Sequence, residues 1–420
     1  MRSLVVHVVA GPDTGARVEG EGDALSIGTA DGNDLVLADP TVSRYHLELR
    51  RGRDGLVVRD TASTNGTRFH GARLEVATIP VGAELELGDT RIRLGDGAPI
   101  TLALHDGEEL AGIVGRTAAM RRLMARVEKA AASPTAVLLV GESGTGKERV
   151  ARALHERGPR ASGPFVTVDC ASLSPTLVAS ELFGHERGAF TGADRQHVGA
   201  FERADGGTLF LDEVGELSAE LQPALLGALE RGRFRRVGGR GEVAVDVRVV
   251  SATHRDLRAE VNAGAFRLDL YYRIAVVVLQ LPALRERPED VPLLAAHFLK
   301  DAGHDGALAD VFDAEALEAL VRHRWPGNVR ELRNVVEATL AMGETPVLES
   351  LGAPDDPLAV HEGLLSMPYK GARRVLLDAF EKRYAARLLA RADGNVSAAA
   401  RAGRMDRTYL IKLLSRHGLK

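Results

Sequence analysis

The chain has 420 residues, 45% hydrophobic and 27% charged, with a net charge of −4. This is the balance of an ordinary soluble protein of about three domains. No apolar run is long enough to span a bilayer and no secretory signal pattern opens the chain. Cys170, the sole cysteine, rules out an internal disulfide and suits a reducing cytoplasm. Charge is unevenly spread: residues 371–420 hold 12 Lys and Arg against 4 Asp and Glu, a net +8 that leaves −12 on the rest. A basic end on an acidic body points to a nucleic-acid contact there.

Residues 1–97 are predicted to be β-rich. Short alternating runs (Leu4–Val9, His46–Arg50, Leu56–Arg59, Arg91–Leu94) are separated by Gly, Asp and Asn clusters, the spacing of a β-sandwich. Residues 98–111 read as a linker. From 112 to 282, apolar strands (Ala136–Val140, Phe165–Val168, Thr208–Leu211, Val247–Ser251, Ala275–Gln280) alternate with helical stretches, which predicts a parallel α/β sheet covered on both faces. Residues 283–345 form a helical subdomain, wholly helical over Val291–Met342; 346–370 form a second linker, and 371–420 are helical again.

The most informative segment is Gly141, Glu142, Ser143, Gly144, Thr145, Gly146, Lys147 and Glu148, between an apolar strand and a helical pattern. Strand, glycine-rich loop and helix form a phosphate cradle: backbone N–H groups turn inward, the helix N-terminus faces the anion, and Lys147 reaches the β- and γ-phosphates. Glu148 stands where Ser or Thr usually ligates Mg²⁺, so Mg²⁺ must be held elsewhere. The run Ala204, Asp205, Gly206, Gly207, Thr208, Leu209, Phe210, Leu211, Asp212 and Glu213 reads as a turn and a buried strand ending in two carboxylates, and is expected to line the nucleotide. Asp212 is the candidate Mg²⁺ ligand, and Glu213 the residue that orients or activates water.

Between these motifs lies Gly188, Ala189, Phe190, Thr191, Gly192 and Ala193. Glycines flank an aromatic tip that either protrudes toward a partner or folds back onto the core; the residues alone leave both open. The hexapeptide resembles the signature loop of AAA+ bacterial enhancer-binding proteins, the ATPases that activate sigma-54 RNA polymerase. The Glu148 form of the phosphate loop, Phe266-Arg267 through Tyr272-Arg273, Leu281–Arg287 and Trp325–Leu332 resemble the same family, over residues 112–342. The resemblance implies that residues 188–193 contact sigma-54. Arg267 and Arg273, which alone read as surface ion pairs, become arginine fingers reaching the ATP of the next subunit in a hexameric ring. It also implies that Thr253 and Arg330 sense nucleotide and that Val114 and Gly115 border the adenine. Asp169, where the family often carries Asn, is expected beside Glu213, the two carboxylates sharing a proton or a bridging water.

The tail resembles a Fis-type helix-turn-helix: a first helix over Asn395–Ala402, a turn at Gly403-Arg404, and a second helix from Asp406 to Ser415. Arg407, Thr408, Tyr409 and Lys412 would then face DNA. The family's turn glycine usually falls where Arg404 stands. The N-terminal region resembles a forkhead-associated (FHA) domain at Ile27-Gly28, Asn33-Asp34, Asp39-Pro40, Ser43–His46 and Ser63–Thr67. Ser43, Arg44, Thr64 and Asn65 are the implied phosphothreonine contacts, but Thr29 stands where FHA domains usually carry a phosphate-binding Arg. The expected protein is a multidomain sigma-54-dependent activator: an all-β FHA-like sandwich, an α/β P-loop AAA+ ATPase with a helical lid, and an all-α helix-turn-helix. Its expected ligands are ATP and Mg²⁺; its expected partners are sigma-54 RNA polymerase holoenzyme, enhancer DNA, copies of itself and a phosphothreonine protein or Ser/Thr kinase. A DNA-bound scaffold with an inactive ATPase, and an AAA+ remodeller of another target, are the alternatives.

Overall fold

Alternation of apolar and polar residues builds the N-terminal sandwich. In the computed structural model, which describes residues 2–20, 24–52, 55–100, 102–171, 175–343, 345–346, 396, 400, 405 and 407–416, eleven strands form two sheets. They are β1 (Arg2–Ala10), β2 (Arg17–Glu19), β3 (Ala24–Gly28), β4 (Leu35–Val36), β5 (Leu47–Arg51), β6 (Leu56–Asp60), β7 (Thr67–Phe69), β8 (Ala72–Leu74), β9 (Val76–Ile79), β10 (Glu84–Leu87) and β11 (Thr90–Pro99). One sheet runs β2-β1-β11-β10-β7-β8, the other β4-β3-β5-β6-β9. Every second residue (Leu4, Val6 and Val8; Leu47 and Leu49; Leu85 and Leu87; Ile92 and Leu94) points into one shared core.

The central region begins with a hairpin, β12 (Glu109–Leu110) and β13 (Ile113–Val114), followed by α1 (Ala118–Ala131), β14 (Val137–Val140) and α2 (Lys147–Glu156). Next come β15 (Phe165–Asp169), α3 (Pro175–Phe183), α4 (Ala200–Arg203), β16 (Thr208–Asp212), α5 (Gln222–Arg231) and the hairpin β17 (Arg233–Arg235) and β18 (Glu242–Ala244). The region closes with β19 (Arg248–Thr253), α6 (Leu257–Asn262), α7 (Leu268–Ile274) and β20 (Val277–Gln280). All five strands of the sheet β15-β16-β19-β14-β20 run parallel. Buried on both faces, they feed two cores alternately: Leu209 and Leu211 join one, Phe210 the other. On the second face α1 packs Met120, Leu123, Met124 and Val127, a helical i, i+3, i+4, i+7 stripe.

The lid comprises α8 (Val291–Asp301), α9 (Leu308–Val311), α10 (Ala314–Arg322) and α11 (Asn328–Met342) around buried Trp325. The stretch read as wholly helical is thus broken, because Asp313 caps α10 anew and the Pro326-Gly327 turn separates it from α11. Nor is 98–111 a plain linker: β11 runs to Pro99, and Leu110 is buried in the ATPase core. Residues 349–420 form a separate unit. In it α12 (Arg407–Arg416) buries Leu410, Leu413 and Leu414 against Val396 and Ala400, and exposes Arg407, Thr408, Tyr409 and Lys412. The turn Gly403-Arg404 and Asp406 lie outside the described residues.

The sandwich is seated on the ATPase at α6 and α7. Tyr45, 1% exposed, packs edge-on against Tyr271 with ring centres 5.4 Å apart. Asn262 at the end of α6 reads two sandwich loops: its amide donates to the carbonyls of Tyr45 (2.6 Å) and Thr61 (3.0 Å), and its oxygen accepts from Tyr45 N at 3.3 Å. Arg258 pairs with Glu48 at 3.1 Å, Arg59 with Asp256 at 3.0 Å, and Arg50 bonds Gln280. Gly32 N donates to Tyr272 Oη at 3.2 Å, where any Cβ would overlap the Tyr272 ring.

Arg248 shows how the sheet is tied to its helices. It is 2% exposed, and its guanidinium donates to the carbonyls of Ala130 (2.7 Å), Ala131 (3.2 Å) and Leu154 (3.1 Å), in the last turns of α1 and α2. These carbonyls end their helices, and Ala130 O also accepts from Ser133 N at 3.2 Å, so a cation there answers the remaining lone pairs and the negative helix ends. Arg248→Met removes the donors and keeps most of the volume. We expect a loss of about 2–4 kcal/mol, measured by chemical denaturation.

Candidate functional site

The parallel sheet brings the ends of β14, β19 and β16 to one edge, and the phosphate loop sits there. Gly144 and Gly146 hold φ of 78° and 101°, conformations that side chains resist, and a Cβ on Gly144 would overlap the Gly327 carbonyl. α2 starts directly after Gly146, so its free N–H groups face the loop. Lys147 is 7% exposed; its Nζ donates to Gly141 O (2.9 Å) and lies 3.3 Å from Glu213 Oε1. Glu148 turns away and pairs with Arg152 at 2.8 Å, one helical turn on.

Asp212 and Glu213 leave β16 together, Glu213 at φ 51°. Burial, and next to it the Glu213 charge, push the Asp212 carboxyl above its usual range. Burial also acts to raise Glu213, but hydrogen bonds from His254 and the Lys147 charge outweigh it, and the net shift is downward. The proton sharing expected between Asp169 and Glu213 is corrected by this geometry. Asp169 lies in register with Asp212, its Oδ1 accepts from Ala171 N at 2.9 Å, and the carboxyl that is raised is Asp212. Glu213 instead engages His254, through Nδ1 at 2.7 Å and the backbone N at 3.1 Å. Thr253 is buried; its carbonyl accepts from Gly141 N at 3.2 Å and its hydroxyl from Arg255 N at 3.0 Å.

A second correction concerns Ala204, Asp205, Gly206 and Gly207. They form the turn entering β16, at the opposite end of the strand from Asp212, where Gly206 N donates to Asp246 O and Thr208 N to Pro164 O. Thr208, Leu209, Phe210 and Leu211 are fully enclosed strand residues. A parallel strand presents ligands only at its C-terminal end, so only Asp212 and Glu213 of this run reach the cleft.

The lid closes on the loop through contacts that sequence reasoning missed. Arg285 grips Glu142 with two bonds, 2.7 and 2.5 Å, and this pairing, opposed by burial and aided by Asn328, holds the Glu142 carboxyl down at about 2. Asn328, at φ 53°, donates to Glu142 Oε2 (3.1 Å) and Ser143 O (3.0 Å) and accepts from Leu284 N (2.8 Å). Arg330 reaches Ser143 Oγ at 3.1 Å. Asp290 binds the N–H groups of Arg116 and Thr117 at 2.7 and 2.9 Å, next to Val114 and Gly115. Arg267 pairs with Asp269 at 2.8 Å, and Arg273 donates to Leu229 O at 2.7 Å; among the described residues neither bonds the cleft of its own chain.

The loop 188–193 is a turn closed by Gly188 N donating to Ala193 O at 2.8 Å. Phe190 rests half-buried, edge-on to His185 at 4.9 Å, while Thr191 and Gly192 are exposed. Arg236 braces its base by bridging Glu186 (2.8 Å) and Glu202 (2.7 Å).

Residues 113–280 match the sigma-54 interaction domain and 285–356 the AAA+ ATPase lid domain. The transcriptional regulatory protein ZraR of Salmonella typhimurium is 44% identical over 306 residues, covering 73% of this chain and 68% of that protein. The chain belongs to the sigma-54-dependent transcriptional regulators. NtrC of Azospirillum brasilense is 48% identical over 252 residues, 60% of this chain and 52% of that protein. NtrX from Brucella abortus, solved in complex with ATP, aligns with a TM-score of 0.51 at 37% identity, covering 75% of this chain and 70% of that one. This sigma-54 regulator is therefore an AAA+ ATPase, and its cleft of Lys147, Asp212 and Glu213 lies within the matched domain. Residues 7–98 match the cytoplasmic domain of an inner membrane component of T3SS; among the described residues no helix is long and apolar enough to cross a membrane.

Arg285→Ala frees Glu142 and Asn328 and should raise KM for ATP several-fold while moving kcat less. Glu142 keeps its charge at every pH above the region of about 2 and loses it only as pH falls through that region. The contact is therefore intact from pH 6 to 9, where Glu142 freed of Arg285 is also ionised, and the ratio of variant to parent KM should stay constant across that range.

Proposed function

We propose that this regulator hydrolyses ATP at the interfaces of a ring of its own copies and uses the cycle to drive the loop 188–193 against sigma-54 RNA polymerase. The observation that carries the reading is the convergence of Lys147, Asp212 and Glu213 in one cleft while, among the described residues, Arg267 and Arg273 bond outside it. Lys147 binds the β- and γ-phosphates. Glu213, with its carboxylate held ionised, orients the attacking water and takes its proton. Arg267 and Arg273 act on a neighbouring subunit's ATP, and Arg330 senses the phosphates from the lid.

No cluster of three or more His, Cys, Asp or Glu among the described residues forms a ready metal site. Asp212 nonetheless fits Mg²⁺ arriving with nucleotide: it is a partly buried carboxylate whose charge is disfavoured until a cation neutralises it. When bound, Mg²⁺ supplies charge neutralisation at the phosphates. Phe190 and Thr191 form the tip that meets sigma-54. Arg407, Thr408, Tyr409 and Lys412, exposed on one helix of the basic tail, bind enhancer DNA.

The sandwich reads phosphothreonine as an input. Supporting this, Ser43 Oγ accepts from Thr64 N at 3.0 Å, Asn65 donates to Thr41 O at 2.7 Å, and Arg44 is exposed beside them. The burial of Tyr45 against Tyr271 favours a second reading, a sandwich that only docks on the ATPase. Titration with phosphorylated and unphosphorylated threonine peptides separates them: tighter binding of the phosphopeptide is expected, and equal affinities would leave only docking.

Two further outcomes test the ring and the loop. Lys147→Ala and Arg273→Ala should each abolish turnover, yet mixing them should restore part of it, because Arg273→Ala subunits keep a cleft that Lys147→Ala subunits can serve in trans. Thr191→Ala should hydrolyse ATP at close to the parental rate and fail in open-complex formation with sigma-54 polymerase. Mixtures without activity would exclude arginines acting between subunits.

A further inference from the structure

The segment His254–Asn262 is held at both ends, by the catalytic carboxylate and by the sandwich. At its start His254 fixes one oxygen of Glu213, Oε2, with two donors, Nδ1 at 2.7 Å and the backbone N at 3.1 Å. The other oxygen, Oε1, faces Lys147 at 3.3 Å. Phosphate entering the loop competes for Lys147, and Oε1 is then free to face water while Oε2 stays anchored. The two oxygens thus have separate tasks, and His254 owns the anchoring one.

Two residues on from this anchor the sandwich takes hold. Asp256 divides its oxygens in the same manner: Oδ1 caps α6 by accepting from Arg258 N and Ala259 N, both at 3.1 Å, while Oδ2 pairs with Arg59 at 3.0 Å. At the far end of α6, Asn262 is held by Tyr45 and Thr61. His254 itself borders a cavity of about 110 Å³ that Glu48, Arg50 and Arg59 of the sandwich also line. α6 buries Leu257 and Val261 in the ATPase core, and the sandwich adds a second grip on it from outside.

We propose that His254 is the positioning residue for Glu213 and that the docked sandwich keeps it in place through α6, which makes the N-terminal domain part of the hydrolytic apparatus. The inference rests on ATP hydrolysis alone and is independent of phosphothreonine reading.

The test is steady-state hydrolysis by the full chain, at protein concentrations where turnover per subunit has stopped rising. His254→Ala and His254→Gln should lower kcat about 10-fold or more with KM for ATP within about twofold, since displacing a reacting group by an ångström is costly while binding is untouched. His254→Asn, whose amide nitrogen takes the place of Nδ1, should recover most of that loss; a residue that merely packs would show no difference between Asn and Gln. Asn262→Ala should lower kcat about threefold and add nothing in the His254→Ala background, because both remove one anchor. Arg59→Ala breaks the same grip from the sandwich surface and should behave alike even if Asn262→Ala folds poorly. Parental turnover in His254→Ala, equal losses in the Asn and Gln variants, or a sandwich variant that acts equally in both backgrounds or not at all would overturn the proposal. Loss of peptide binding by the sandwich would leave these outcomes unchanged, and loss of all turnover in the parent chain would refute the ATPase reading instead.

Discussion

An ammonium and a carboxylate 3.3 Å apart, both largely withdrawn from water, set the terms of this site. Each charge alone would be costly to bury; together, with Gly141 O completing the Lys147 shell, they are tolerable. The pairing exists because the strand order places β19 between β14 and β16, and Thr253 at the end of β19 ties Gly141 to the same edge. In this pairing the Lys147 charge neutralises that of Glu213. On the proposed reading a triphosphate, which carries more charge than one carboxylate, would reclaim Lys147, and binding substrate would unmask Glu213.

The lid follows from the same charge logic. Glu142 is an acid inside a loop built to hold anions, and it would repel phosphate if left bare. Arg285 and Asn328 absorb its charge from the lid side. Closing the lid therefore improves the electrostatics of the loop as well as its shape. Asn328 takes a left-handed φ of 53°, which Asn adopts more readily than most side chains, and makes three hydrogen bonds there.

Much of this was legible in the sequence where chemistry and periodicity agree. The five buried strands, the glycine loop, Lys147 and the paired carboxylates each combine a local pattern with an obligatory geometry. The misses have a common physical cause: strand direction and side-chain rotation are not written in a linear motif. Ala204–Gly207 are adjacent in sequence to a site residue by only a few positions, yet a strand carries them to the other edge of the sheet. Asp169 was placed by its neighbours but turns onto Ala171. His254 had a usable signal, a titratable side chain immediately after a buried strand whose neighbours end in the cleft. Arg285 and Asn328 had none beyond their motifs, since they act across a distance of more than 140 residues.

The loop Ser43–His46 shows why one motif can hide a second task. Its residues face different ways: Arg44 is exposed, Tyr45 is buried against α7, and His46 is buried in the sandwich, where burial lowers its pKa and Nδ1 accepts from Ser43 N at 3.1 Å. If the sandwich reads phosphothreonine as proposed, a ligand on the outward residues and the ATPase on Tyr45 share one stretch of backbone, further tied by Thr61 Oγ1 donating to Tyr45 O. Two binding events on a backbone this short cannot be energetically independent, because any shift of Arg44 moves the carbonyl that Asn262 reads. The proposed coupling between the N-terminal domain and the hydrolytic centre then needs no large rearrangement, only a change in how firmly the sandwich holds α6.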